Sequence, residues 1–226
     1  MPDAPLSTLA LDTPFGELNV IVAPEDGAVH AAGFSPLREV IAHLPATMTE
    51  RDVEPAPLPE IADAVEAWLA GDGDAITRVP VVLHGSPFFS EVWETLRGVP
   101  AGEVVSYQEL AAMAGRPRAM RAAGTACARN TVGLFVPCHR VIASGGRLGG
   151  YGFGGPGIKA EMLEHEGLRM ADATVTEATR VLPRDGTAEA RATTASAVTP
   201  DEAAALARLR RAGTEDAAVQ RPAGEW

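Results

Sequence analysis

A cysteine and a histidine stand side by side at positions 138 and 139, inside the string Pro137-Cys138-His139-Arg140-Val141. A thiol reacts as its thiolate, and a nearby base or positive charge lowers the ordinary pKa of about 8.5. The surroundings are cationic. Between Leu110 and Ala160 lie Arg116, Arg118, Arg121, Arg129, Arg140, Arg147 and Lys159, with no aspartate or glutamate. That combination points to a cysteine nucleophile working against a polyanion. The competing reading of a lone cysteine is a small buried hydrophobe. The adjacent histidine and the arginines favour the reactive reading, although neighbours in sequence need not touch.

The elements that must position this pair divide at about residue 80. In the first part, Ser7–Thr13 and Glu17–Ala23 alternate apolar residues and flank Pro14-Phe15-Gly16, which predicts a hairpin. Ala28–Phe34 reads as a third strand. Ser35-Pro36 reads as the cap and first turn of a helix to about Leu44. Residues 45–58 read as a loop, and Ile61, Val65, Trp68 and Leu69 fit one face of a helix stopped by Gly71.

In the second part, Ser86-Pro87 opens a helix with Phe89, Val92, Trp93 and Leu96 on one face. Ser106-Tyr107-Gln108-Glu109 is a capping box, with Val105 and Leu110 as its hydrophobic staple. That helix stops at Gly115, and Pro117 permits a second to start at once and run to about Arg129, giving helix-turn-helix geometry. On the second helix Arg118, Arg121, Thr125 and Arg129 share a face kept thin by alanines and Gly124, so it can approach a groove closely. Val132–Val136 reads as a short strand leading into the Cys138 turn. A glycine-dense stretch, Gly145–Gly157, precedes a helix from about Ile158 to Glu166, stopped by Gly167. Beyond Ala171 the Ala/Thr-rich chain is expected to be mostly disordered, except for a short helix that starts at the capping box Thr199-Pro200-Asp201-Glu202 and runs to Arg211.

Composition narrows the classes. A chain of 226 residues, 46% apolar, suffices for one large domain or two small ones with a real core. No apolar run approaches the length of a membrane span. The start Met1-Pro2-Asp3 has no basic stretch before an apolar one, so no secretory signal is expected. Two cysteines then argue for a reducing cytoplasm and free thiols, with a Cys127–Cys138 disulfide as the alternative. The net charge of −11 runs against a nucleic-acid partner until it is divided. Residues 1–90 hold 14 acids and 3 bases, residues 91–170 hold 7 and 9, and residues 171–226 hold 9 and 7. The local basic stripe is what a phosphate backbone would feel.

The residues also carry a family resemblance. Val104-Val105-Ser106-Tyr107-Gln108 through Ala114-Gly115, Arg121-Ala122-Ala123-Gly124, Asn130, Pro137-Cys138-His139-Arg140-Val141, Gly150-Tyr151 and His165-Glu166-Gly167 occur in order. Over residues 7–170 the chain resembles the O6-alkylguanine-DNA alkyltransferases, also called methylated-DNA–protein-cysteine methyltransferases. The resemblance implies a ribonuclease-H-like α/β domain over 1–80 and a mostly α winged helix-turn-helix domain over 81–171. A low-complexity tail over 172–226 follows. It implies stoichiometric transfer of an alkyl group from O6-alkylguanine in duplex DNA to Cys138, with O4-alkylthymine as a second candidate. No cofactor and no metal are implied, and a monomer is expected.

The same resemblance assigns roles. His139 acts as a base through a water, and Glu166 orients it. Tyr107 donates a proton toward guanine N3, and Asn130 braces the turn before Cys138. Arg121 enters the stack vacated by a flipped nucleotide, as chemistry on a base within a duplex requires, and Arg118, Thr125, Arg129 and Arg140 join it as DNA contacts. The backbones of Val141 and Cys138 read the guanine amino group. Tyr151 forms a pocket wall, the N–H near Gly152 faces O6, and Cys127 stands where an apolar pocket residue is expected. The chain departs from the pattern in a spacing one residue longer between Tyr151 and Lys159, and in having no cysteine before position 127 for a structural zinc. Three other classes compete. A lesion sensor would bind without transfer, a cysteine hydrolase or redox enzyme would ignore DNA, and a transcription factor would need no Cys-His pair.

Overall fold

The computed structural model describes residues 4–171 and 173–177. The helix expected over Thr199–Arg211 and the disorder expected from 178 onward lie outside the described residues.

The first elements form one sheet because their apolar residues alternate. β1 (Leu6–Thr13) and β2 (Gly16–Val22) pair antiparallel from Thr13↔Gly16 to Ser7↔Val22, as the hairpin reading expected. Pro14 and Phe15 fill the turn. Gly16 follows at φ 115°, a left-handed conformation that costs any other residue more. β3 (Val29–Gly33) pairs with β2.

The segment 45–58 departs from the loop expected of it. It holds a one-turn helix, α2 (Ala46–Thr49), and a three-residue strand, β4 (Val53–Pro55), which lies parallel to β1 at the sheet edge. The sheet order is therefore β3-β2-β1-β4. So short a strand has no periodicity to read. It is set by the distant partner Leu6, and Pro55 is tolerated because the strand is an edge. The helix expected from Ser35 is only α1 (Leu37–Ile41), preceded by Pro36 and uncapped by any side chain. Ser35 instead gives its carbonyl to Asn19 Nδ2 at 3.1 Å.

Helices then cover the sheet. α3 (Pro59–Leu69) buries Ile61, Val65, Trp68 and Leu69 as their spacing requires. α4 (Pro87–Arg97) is capped by the Ser86 hydroxyl and buries Val92, Trp93 and Leu96. β5 (Val105–Ser106) leads into α5 (Tyr107–Met113), whose capping box is complete: Glu109 N–H donates to Ser106 Oγ at 3.2 Å and Ser106 N–H to Glu109 Oε2 at 2.7 Å. α6 (Met120–Ala128) begins three residues after Pro117 rather than at it. Arg116 C=O accepts from Ala119 N–H at 2.8 Å, so Pro117 occupies the second position of a β-turn, where its fixed φ fits equally well.

Val132–Val136 is not a strand. Val132 makes a single parallel bridge to Ala32, Leu134 has φ 70°, and Val136 N–H folds back onto the Val132 carbonyl at 3.0 Å. The run is apolar because it is enclosed on all sides, a state that periodicity cannot separate from an extended one. A 3-10 turn over Cys138–Arg140 follows, and then β6 (Val141–Ile142), parallel to β5. α7 (Gly155–His165) starts three residues earlier than expected, and Gly167 ends it at φ 91°. β7 (Arg169–Ala171) and β8 (Thr174–Glu177) close a hairpin inside a segment expected to lack structure past Ala171.

One continuous apolar core joins Leu18 and Val20 of β2, Trp68 of α3, Trp93 of α4, Leu110 of α5, Ala123 of α6, the 132–136 run and Met162 of α7. Cys138 lies within it.

Candidate active site and nucleic-acid interface

Cys138 opens the 3-10 turn and is 6% exposed. Asn130 Nδ2 donates to its Sγ at 3.2 Å and to the Val136 carbonyl at 2.9 Å, while Asn130 Oδ1 accepts from Val132 N–H at 3.0 Å. One buried amide thus closes the 130–138 loop and touches the sulfur. Burial pushes the thiol up from its ordinary value, and the Asn130 hydrogen bond and the Lys159 charge oppose it without reversing it. The sequence suggested a thiol lowered by neighbouring cations. Burial wins instead, because ionisation in this enclosure costs more than one amide and one ammonium return.

The next side chain reaches the acid. His139 Nε2 lies 3.0 Å from Glu166 Oε1, with both side chains fully enclosed. Glu166 also accepts from Arg140 Nε at 2.9 Å, from Arg140 Nη2 at 2.7 Å and from Trp68 Nε1 at 3.0 Å. Burial pushes this carboxyl up. The Arg140 guanidinium and the hydrogen bonds from His139 and Arg140 outweigh it, and the group sits well below the usual carboxylate range. Burial holds His139 below its ordinary value against the pull of Glu166. The imidazole is therefore neutral, and Arg140, which is permanently charged, suffices to ionise Glu166. A neutral ring that donates from Nε2 keeps its lone pair on Nδ1. Nδ1 is buried and meets no hydrogen-bond partner among the described residues.

Two of the expected surface cations are internal. Arg140, expected at the DNA, is fully buried. Besides Glu166 it donates to the Val99 carbonyl at 2.7 Å and the Gly73 carbonyl at 2.8 Å. Four of its five N–H groups are spent on these internal acceptors and the side chain is fully buried, so it cannot meet a phosphate. Lys159 is also fully buried, donating to the Val141 and Leu148 carbonyls at 2.5 Å each. Burial lowers its ammonium to about 8. The exposed basic stripe is therefore Arg116, Arg118, Arg121, Arg129 and Arg147. Of these, Arg116 pairs with Glu91 at 3.2 Å and lies over the Phe88 ring.

Arg121 and Thr125 are exposed on α6, Arg129 is exposed at its C-cap, and Arg118 is exposed in the turn before it. Arg121 lines a cleft of about 300 Å³ with Tyr107, Gln108, Met120, Gly124, Ala143, Ser144 and Arg147. Burial raises the Tyr107 phenol, so it stays protonated and able to donate. Cys127 is half-buried against the core, its thiol pushed up to about 12 by burial. Val141, Tyr151, Gly152 and Cys127 lie outside the lining of this cleft. Tyr151 stacks edge-on against His139 at 6.5 Å and Phe153 at 5.7 Å, and its hydroxyl donates to Met162 Sδ at 3.4 Å. A Cβ on Gly152 would meet nothing within 4 Å, so the backbone there opens to solvent.

Phe153 fixes this loop. It fits a notch made by two glycines: a Cβ on Gly33 would lie 2.8 Å from the ring, and one on Gly133 would lie 2.9 Å away. Sequence reading missed Trp68, the partnership of Arg140 with Glu166, and the Phe153 notch. A tryptophan 98 residues from its acceptor leaves no local signal. The His139-Arg140 adjacency was the available hint for Arg140.

The chain is similar to known proteins. The profile of the 6-O-methylguanine DNA methyltransferase DNA binding domain matches residues 87–168. The human methylated-DNA–protein-cysteine methyltransferase is 36% identical over 184 residues, covering 74% of this chain and 84% of that protein. The Shigella flexneri protein of the same name is 43% identical over 107 residues, 47% of this chain. The chain spans 62% of the length of that relative. The structure of Mycobacterium tuberculosis OGT in complex with DNA superposes with a TM-score of 0.56 at 31% identity, over 71% of this chain and 93% of that one. The chain belongs to the methylated-DNA–protein-cysteine methyltransferase family.

Proposed function

We propose that the protein repairs DNA by taking the alkyl group of O6-alkylguanine in a duplex onto Cys138, once per molecule. The observation that carries this reading is the pairing of Glu166 with His139 Nε2, which leaves a buried Nδ1 lone pair on the residue that follows a thiol kept protonated by burial. A water between Sγ and Nδ1 passes the thiol proton to His139. The sulfur attacks the alkyl carbon, an S–C bond forms, and the C–O6 bond breaks with its electron pair on guanine. Tyr107 supplies a proton at N3, so the base leaves neutral. A thioether does not hydrolyse, so the reaction is stoichiometric, with no diffusible cofactor. O4-alkylthymine is a second substrate of the same chemistry.

The interface follows from the same reading. Arg121 replaces the extruded nucleotide, which limits an unstacking cost of roughly a few kcal/mol, and Arg118, Thr125 and Arg129 hold phosphates. The backbones of Val141 and Cys138 read the guanine amino group, Tyr151 walls the pocket, Cys127 packs beside it, and the Gly152 N–H meets O6. Within this reading the α5–α6 pair and its following hairpins form a winged helix-turn-helix over 81–171. The sheet with α3 over 1–80 is ribonuclease-H-like, residues 172–226 are a tail, and the protein acts as a cytoplasmic monomer.

Incubation with an O6-methylguanine duplex should add one methyl to the intact mass, mapped to Cys138 and abolished by Cys138→Ser. Tight lesion binding with unchanged mass would overturn the transfer reading in favour of a sensor.

A further inference from the structure

Nothing in the sequence separates Arg147 from the other arginines of the basic stripe, but the fold does. Arg147 is exposed, follows the 3-10 turn Ser144–Gly146, and lines the same cleft as Arg121. The two arginines reach that cleft from different elements. Arg121 comes from α6, whose Gly124 faces one edge of Tyr107: a Cβ there would lie 3.7 Å from Cδ1. Arg147 comes from the loop whose Gly149 faces the hydroxyl corner of the same ring, where a Cβ would lie 3.6 Å from the phenol oxygen. Tyr107 therefore stands between the two supports. Among the described residues neither guanidinium has an ion-pair partner, whereas Arg116 is held by Glu91.

Arg147 is also backed by the hairpin that follows α7. Its backbone bridges Thr174 of β8, and Leu148 N–H donates to the Ala173 carbonyl at 3.1 Å. Gly146 sits at φ 77° with the Val175 carbonyl oxygen 3.0 Å from where a Cβ would be. The Arg147 carbonyl accepts from Ala143 N–H at 2.7 Å. The backbone is thus pinned on both sides while the side chain stays in solvent. A guanidinium presented from a fixed backbone matches two phosphate oxygens with one planar fork.

We propose that Arg147 is a further phosphate-binding cation, added to Arg118 and Arg129 and set on the other side of Tyr107 from the stack-filling Arg121, so that the strand bearing the extruded nucleotide is held from both sides. The assignment rests on the alkyl-transfer reading above and adds a contact to it.

The test is the salt dependence of binding to an O6-methylguanine duplex, measured on the full chain carrying Cys138→Ser. One phosphate contact contributes a slope of about 0.9 in log K against log salt. Arg147→Ala should lower the slope by that amount, so the advantage of the unsubstituted arginine shrinks roughly 3.5-fold between 50 and 200 mM salt. Arg147→Lys should keep the slope, and Arg38→Ala on the distant α1 should leave it unmoved. With Cys138 present, Arg147→Ala should slow duplex repair more than reaction with free O6-benzylguanine. An unchanged slope, or equal slowing on both substrates, overturns the proposal. A chain that transfers no methyl with Arg147 intact overturns the underlying reading, and the proposal with it.

Discussion

Burial raises the Cys138 thiol, and neither the Asn130 amide nor the Lys159 ammonium reverses that balance. The sulfur therefore rests protonated at neutral pH. Iodoacetamide should label Cys138 at pH 7 more slowly than an unstructured thiol, and labelling should accelerate as pH rises past 9. Rapid labelling unchanged from pH 6 to 9 would mean a preformed thiolate. Cys138, His139, Glu166, Tyr107 and Asn130 were named from the sequence as an ordered set of motifs, and the structure brings Asn130 to Cys138 and His139 to Glu166. The internal places of Arg140 and Lys159 were not legible, because a cation that feeds buried carbonyls and one that meets solvent are the same letter. Only packing separates them, and it depends on residues such as Gly73 and Val99, 67 and 41 positions away from Arg140.

Local chemistry predicted some elements and failed on others for identifiable reasons. The Ser106–Glu109 box and the Ser86 cap were read correctly because each is closed by groups three residues apart. Ser35-Pro36 looked like such a cap, but the Ser35 carbonyl was claimed by Asn19 across the sheet. β4 and the 132–136 run depend on partners far along the chain, so their local pattern was empty or misleading. The glycine notch under Phe153 has the same character, since Gly33 and Gly133 meet only in the fold. Gly133→Ala should push a methyl into the ring and destabilise the protein by about 1–3 kcal/mol, as overpacking does. Thermal unfolding would measure this, and a loss under about 0.5 kcal/mol, ordinary for a surface change, would mean the ring moves aside freely.

Arg140 ties together segments 67, 41 and 26 residues away from it. It joins Gly73, Val99 and Glu166, segments that lie on both sides of residue 80 and near the end of the described chain. Replacing it with methionine leaves the Glu166 carboxylate buried with its main counter-charge gone, a change worth about 3–5 kcal/mol. Glu166 is held below its unfolded value of 4.5, so what the pair contributes is fully present above that pH and is lost as pH falls. The deficit of Arg140→Met should accordingly be full at pH 7 and narrow below about pH 4.5 in denaturant titrations. A deficit independent of pH would assign the loss to packing alone. The chain's charge of −11 lies mostly before residue 91, so the cations on α6 and the 143–147 turn form a local basic region on an acidic molecule.

The ring of Phe153 works as a peg driven through the backbone two residues after Tyr151. α7 begins only two residues beyond it, so a change of length between Phe153 and Lys159 would be met on the helix side of the peg. Chain length there can vary without dragging Tyr151, whose ring rests against His139 and Phe153.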